Sequence, residues 1–166
     1  QKFSVYSIPD LANKPNWING LAEGNSGKLY ITTGSNGLYV LDKGSHKFSN
    51  AIYNKNIIGG ENNMKSIVKT DNNDLIIATD NGLIIVPNEK TEEYSLQKAN
   101  SSKRFALSTH ALTSILLDKN QNIWIGTWEG GINVNYKKQP PFNLLRQEAG
   151  VINGPLERKI TSVATN

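Results

Sequence analysis

Residues 122–134 read "NIWIGTWEGGINV", with two tryptophans, one threonine and three glycines in thirteen positions. A short apolar block, Ile123 to Ile125, closes on Thr127 and a glycine-bearing turn before apolar residues resume at Ile132. Short apolar and β-branched runs separated by Gly, Asn and Asp are strand–turn–strand chemistry. Side chains alternate along a strand, so Trp124 and Gly126 share one face while Ile123, Ile125 and Thr127 share the other.

The same pattern recurs elsewhere in the chain. "INGLAEGNSGKLYITTGSNGLYVLD" begins at Ile18, "MKSIVKTDNNDLIIATDNGLIIVP" at Met64 and "LTSILLDKNQNIWIGTWEGGINVNY" at Leu112. A fourth copy, "ITSVATN", begins at Ile160. Leu21, Ile67, Ile115 and Val163 hold one phase at spacings of 46, 48 and 48 residues. Each unit predicts a first strand A (18–23, 64–69, 112–117), a strand B (28–33, 74–79, 122–127) and a strand C (37–42, 82–87, 131–136). An aromatic marks a fourth strand, D, at Phe48, Tyr94 and Phe142, and Phe3 stands similarly before the first unit. Asn36-Gly37 and Asn81-Gly82 supply hairpin-turn chemistry.

Four antiparallel strands repeating at this period predict an all-β fold, a partial β-propeller of about three four-stranded blades. The expected organisation is a single unit over residues 1–166. Its blades fall near 17–53, 64–97 and 111–146, with a strand of a preceding blade at 2–7 and the first strand of a next one at 159–164. Open faces at both ends predict a part of a larger propeller, or self-association through those ends. Within strand B a large residue stands beside a smaller one: Trp124 with Gly126, Tyr30 with Thr32, Ile76 with Ala78. Trp124, Gly126, Thr127, Gly130 and Gly131 are therefore expected to be architectural.

Composition narrows the function classes. Hydrophobic residues make up 37% of the 166 and cysteine is absent, so disulfide frameworks and thiolate metal sites are excluded. No apolar run approaches the roughly 20 residues of a membrane span, so this segment is not expected to contact a membrane. The net charge of +4 is scattered, which predicts a solvated surface rather than a nucleic-acid patch. Asp118, Asn120, Asn122 and Glu129 mimic a calcium loop, but Ile123 stands where glycine is needed, which favours a polar turn. No cofactor, metal or catalytic residue is predicted.

"ALTSILLDKNQNIWIGTWEGGINVNYKKQPPF" resembles the two-component regulator propeller repeat, whose consensus runs roughly V-x-S-I-x-x-D-x-x-G-N-L-W-I-G-T-x-x-G-G-L. Ser114, Ile115, Asp118, Asn122, Trp124 to Thr127, Gly130 and Gly131 match it; Gln121 replaces the usual glycine, and Ile123 and Ile132 replace leucine. The first two units keep the phase without W-I-G-T. The resemblance implies the periplasmic sensor region of a hybrid two-component histidine kinase of the type common in Bacteroidetes, often tuned to glycan fragments. The expected function is a non-catalytic sensor segment with an oligosaccharide as its possible ligand. The alternative is an enzyme built on a propeller, such as a polysaccharide lyase or glycosidase.

Strand alternation places the B–C and D–A loops on one face. Trp128 and Glu129 emerge there from a B–C turn, and Arg104 and His110 from a D–A loop. An aromatic plate rimmed by polar groups suits a sugar. Trp128 either serves as that plate or packs against the neighbouring blade.

Overall fold

A computed structural model of the chain describes residues 2–11, 17–25, 27–52, 63–100 and 106–137. Three antiparallel sheets form, each ordered as the chain runs. Blade one holds β1 (Ile18–Glu23), β2 (Lys28–Thr33), β3 (Leu38–Asp42) and β4 (Lys47–Ile52). Blade two holds β5 (Met64–Lys69), β6 (Leu75–Thr79), β7 (Gly82–Val86) and β8 (Ser95–Gln97). Blade three holds β9 (Leu112–Leu117), β10 (Ile123–Thr127) and β11 (Ile132–Asn135). The first strands β1, β5 and β9 neighbour one another, which sets them innermost.

The blades stack because each sheet is apolar on both faces. Ala22, Tyr30, Leu38, Val40 and Ile52 of blade one bury against Met64, Ile67, Leu75, Ile77, Ile84 and Val86 of blade two. The opposite face of blade two, Ile76, Ala78 and Leu83, buries against Leu112, Ile115 and Ile125 of blade three. The far face of blade three carries Leu116 and Trp124, side by side in register and 63% and 36% exposed.

Two expectations need correction. Residues 2–8 form no strand; Ile8 instead buries against Ile31, Tyr39 and Leu41, covering the outer face of blade one. Without a ladder partner, that segment is held by the Ile8 anchor and by the Tyr6 ring, whose centroid lies 5.5 Å from that of His46. Tyr94 immediately precedes strand D of blade two, because a turn with left-handed residues at Pro87–Glu89 and a single turn of 3-10 helix at Thr91–Glu93 precede β8, which has three residues. Phe142 and residues 159–164 lie outside the described residues.

Each repeated residue of the motif has a visible cause. Thr33, Thr79 and Thr127 donate their hydroxyls to the carbonyls of Gly37, Gly82 and Gly131, each at 2.8 Å. Thr33 and Thr79 also accept from the turn amides of Asn36 and Asn81. The three glycines have positive φ, whereas neither asparagine does. Across β9 and β10, Ser114 faces Gly126, and a Cβ on that glycine would lie 2.5 Å from the Ser114 hydroxyl. Blade one reverses the pair, with Gly20 opposite Thr32.

The A–B turns repeat one backbone bond, from Gly24, Thr70 and Asp118 N–H to the carbonyls of Lys28, Asp74 and Asn122. Each contains a residue at positive φ: Gly27, Asn73 and Gln121. That explains the consensus glycine at position 121. Gln121 accepts the cost of this conformation and uses its side chain to receive the Asp71 amide of blade two at 3.0 Å.

Asp118 organises the turn of blade three. Its Oδ1 accepts from the amides of Asn120 (2.8 Å) and Asn122 (2.9 Å), and its Oδ2 from Asn122 Nδ2 (3.0 Å) and Trp124 Nε1 (2.9 Å). A carboxylate engaged by four N–H donors is a turn-former and an indole anchor. Blade one has Gly24 at this position, and the Glu89 carboxylate of blade two reaches in instead. Glu89 accepts from Tyr30 Oη at 3.0 Å and from the Asn25 amide at 2.9 Å. A Cβ on Gly24 would lie 2.7 Å from both Glu89 Oε2 and Tyr30 Cε2. Burial, and then the Glu89 carboxylate, push the Tyr30 hydroxyl well above the usual phenol range.

Two outcomes follow. Thr79→Val removes a fully buried hydroxyl and orphans the groups it serves, so urea unfolding should show a loss of about 1–3 kcal/mol. The Trp124 indole N–H, ahead of the Asn122 and Asn120 donors, holds the Asp118 carboxyl down at about 2. With the folded value below the unfolded one, about 3.9, its stabilisation is complete above that value and lost as pH falls toward 2. Asp118→Asn should therefore melt lower at neutral pH, with a shallower decline between pH 4 and pH 2.

Candidate functional site

The face that carries the B–C and D–A loops is pinned in the same way in blades one and three. The Gly34 amide donates to the Trp17 carbonyl at 2.9 Å, and the Trp128 amide to the Ala111 carbonyl at 3.0 Å. Each bond ties the turn after strand B to the residue that leads into strand A.

Around Trp128 the two loops are laced together. Ser108 donates its hydroxyl to the Gly130 carbonyl (3.1 Å) and receives Asn133 Nδ2 (2.9 Å), while its amide donates to Asn133 Oδ1 (3.0 Å). A Cβ on Gly130 would lie 2.4 Å from the Ser108 hydroxyl and 2.9 Å from Thr109 Cγ2. Gly130 thus permits close approach of the D–A loop, and Gly131, at φ 73°, permits the turn. The result is a preorganised platform, which lowers the entropic cost of holding a ligand.

On this platform the Trp128 side chain is 76% exposed. It does not pack against a neighbouring blade among the described residues. Glu129 and His110 are exposed beside it in sequence and loop. Trp128, Glu129 and His110 thus share one loop cluster, whereas Arg104 lies outside the described residues.

Sequence reasoning passed over several residues on the same face. Trp17 is 68% exposed at the entry to β1. Lys65 Nζ stands 3.3 Å from Asp80 Oδ1, and Asn63 donates its amide to Asp80 Oδ2. Trp17, Asn63 and Ala111 occupy one phase of the repeat, as do Gly34, Asp80 and Trp128. The signal available in the sequence was that these phases carry unlike residues where the flanking strands carry like ones.

The described residues contain no helix long and apolar enough to cross a membrane. A family model for the two component regulator propeller matches residues 106–129. Two structures of the extracellular domain of BT4673 from B. thetaiotaomicron are similar to the chain. One is described as a one component system (TM-score 0.66, 25% identity, 80% of this chain and 17% of that one). The other is described as a hybrid two component system (TM-score 0.62, 24% identity, 80% and 16%). The extracellular domain of BT3049, described as a hybrid two component system of the same organism, matches with TM-score 0.55 and 27% identity over 70% of this chain and 14% of that one. The chain thus spans less than a fifth of the length of each of these relatives. No curated protein matches by sequence. The chain is an all-β, propeller-type protein, and residues 106–129, leading into and through the first two strands of its third blade, match the two component regulator propeller model.

Proposed function

We propose that the chain reads a ligand as part of the periplasmic region of a hybrid two-component sensor, that it does so without catalysis, and that the ligand is a glycan fragment. The histidine kinase of such a sensor would belong to another part of the protein. The observation that carries this reading is Trp128: an indole 76% exposed on a turn whose backbone is fixed from both sides. A sugar stacks the apolar face of its ring on such a surface and bonds its hydroxyls at the rim.

The similarity to extracellular domains of two-component systems supports a sensor role. A binding role over an enzymatic one is supported by the engagement of Asp80, whose carboxylate is held by Lys65 and Asn63 rather than paired with a second acid.

The test is Trp128→Ala in the full-length protein. Because the side chain packs little, its melting temperature should stay at the wild-type value. Glycan binding should weaken at least tenfold, ~1.4 kcal/mol, and the signalling response should fall with it. A large drop in melting temperature would instead make Trp128 a packing residue.

A further inference from the structure

The three innermost strands share an irregularity that the repeat period does not announce. In blade one Ile18 pairs with Thr33 and Gly20 with Thr32, leaving Asn19 without a partner. In blade two Met64 pairs with Thr79 and Ser66 with Ala78, leaving out Lys65. In blade three Leu112 pairs with Thr127 and Ser114 with Gly126, leaving out Thr113. One bulge therefore recurs at one height, beside the face that bears Trp128. Bulges re-aim a side chain out of the regular alternation.

The bulge is constant in backbone and different in side chain each time. Asn19 uses its amide to donate to the Met64 carbonyl at 2.8 Å, tying blade one to blade two. Lys65 turns to Asp80 at 3.3 Å, with both side chains partly exposed, at 32% and 40%. Blade two lies between blades one and three, so its Lys65–Asp80 pair stands between the blades that carry Trp17 and Trp128. Stacked sheets are about 10 Å apart and these two blades are separated by two such spacings, so a ligand that touches both indoles must span about 20 Å, roughly four sugar rings.

We propose that Trp17, the Lys65–Asp80 pair and Trp128 form one row of subsites for a neutral oligosaccharide of about four units or more. The inference rests on the saccharide reading given above and extends it across all three blades. The ammonium donates and the carboxylate accepts, which is what a vicinal diol requires of a partner. The pair is formally neutral, and Glu129 adds a carboxylate on the same face, which disfavours a uronate. Neutral sugars are therefore favoured over acidic ones. The indoles on either side supply the stacking surfaces.

Tryptophan fluorescence and calorimetric titration of the full-length protein with cellotetraose, xylotetraose, mannotetraose and maltotetraose test this, with glucose and tetragalacturonate as controls. At least one neutral tetrasaccharide should bind, more tightly than glucose or tetragalacturonate. Trp17→Ala and Asp80→Asn should each weaken it at least tenfold without moving the melting temperature. If both variants bind as wild type while Trp128→Ala does not, the row is wrong and the single platform at Trp128 stands. Preference for tetragalacturonate overturns the neutral class. A lowered melting temperature in Asp80→Asn makes the pair structural and also overturns the proposal. If no sugar binds, the saccharide reading fails and takes this one with it.

Discussion

A sheet that is apolar on both faces must be covered on both, and this constraint organises the molecule. All five residues of β6 are buried, with alternate side chains directed into blade one and blade three. Leu75 and Ile77 face one way, Ile76 and Ala78 the other, so neither neighbour can be removed without exposing half of the strand. Burial of such side chains contributes roughly 1.5–3 kcal/mol each, far more than the exposed ion pairs between turns. The polar contacts between blades refine a geometry that apolar stacking sets. Glu89, Gln121 and Asn19 fix how neighbouring blades are aligned, and the threonine clamps hold each B–C turn in place.

Much of this architecture could be read from phase alone. β1, β5 and β9 occupy the residues that the repeat predicts, and so does β2. Strand length and spacing are local, and a period of 46 to 48 residues transmits them from one unit to the next. What could not be read depends on partners far along the chain. The bulge at Asn19, Lys65 and Thr113 is a property of cross-strand register, invisible in the composition of one strand. The shortened strand at Ser95–Gln97 follows a left-handed turn that places Glu89 and a single turn of 3-10 helix. Trp17 escaped because its counterparts are Asn63 and Ala111, so no repeat marks it.

Glu89 shows why the weaker units of the repeat are not degenerate copies. Trp124 and Tyr30 share a phase, and each donates its polar hydrogen to a carboxylate at the A–B turn. Blade three takes that carboxylate from Asp118 in the turn itself. Blade one has glycine there and takes it from the neighbouring blade, with Gly24 leaving the space the carboxylate fills. Glu89 and Asn88 both sit at positive φ, a cost of order 1–3 kcal/mol each. Such strain persists because the interactions of the Glu89 side chain, with Tyr30, Asn25 and Lys69, over-determine it. Blade two has Ile76 in the aromatic's place, with nothing to donate, and Thr70 completes its turn by receiving the Asp74 amide.

The same comparison separates what serves the fold from the surface proposed to bind. Where three units share a backbone feature and the same residue performs it, as with Thr33, Thr79 and Thr127, the residue serves the fold. Where a need is constant but its supplier moves, as with Asp118 and Glu89, the need is still structural. The rim of the B–C and D–A face differs from both cases. Its backbone repeats, in the bulge of all three blades and in the bonds from Gly34 to Trp17 in blade one and from Trp128 to Ala111 in blade three. Its side chains are indole, amide, ammonium, carboxylate and methyl, with no shared task within the fold. Freedom of side chain on a fixed backbone is what a binding surface requires, since the scaffold sets position and each blade is left to supply different chemistry.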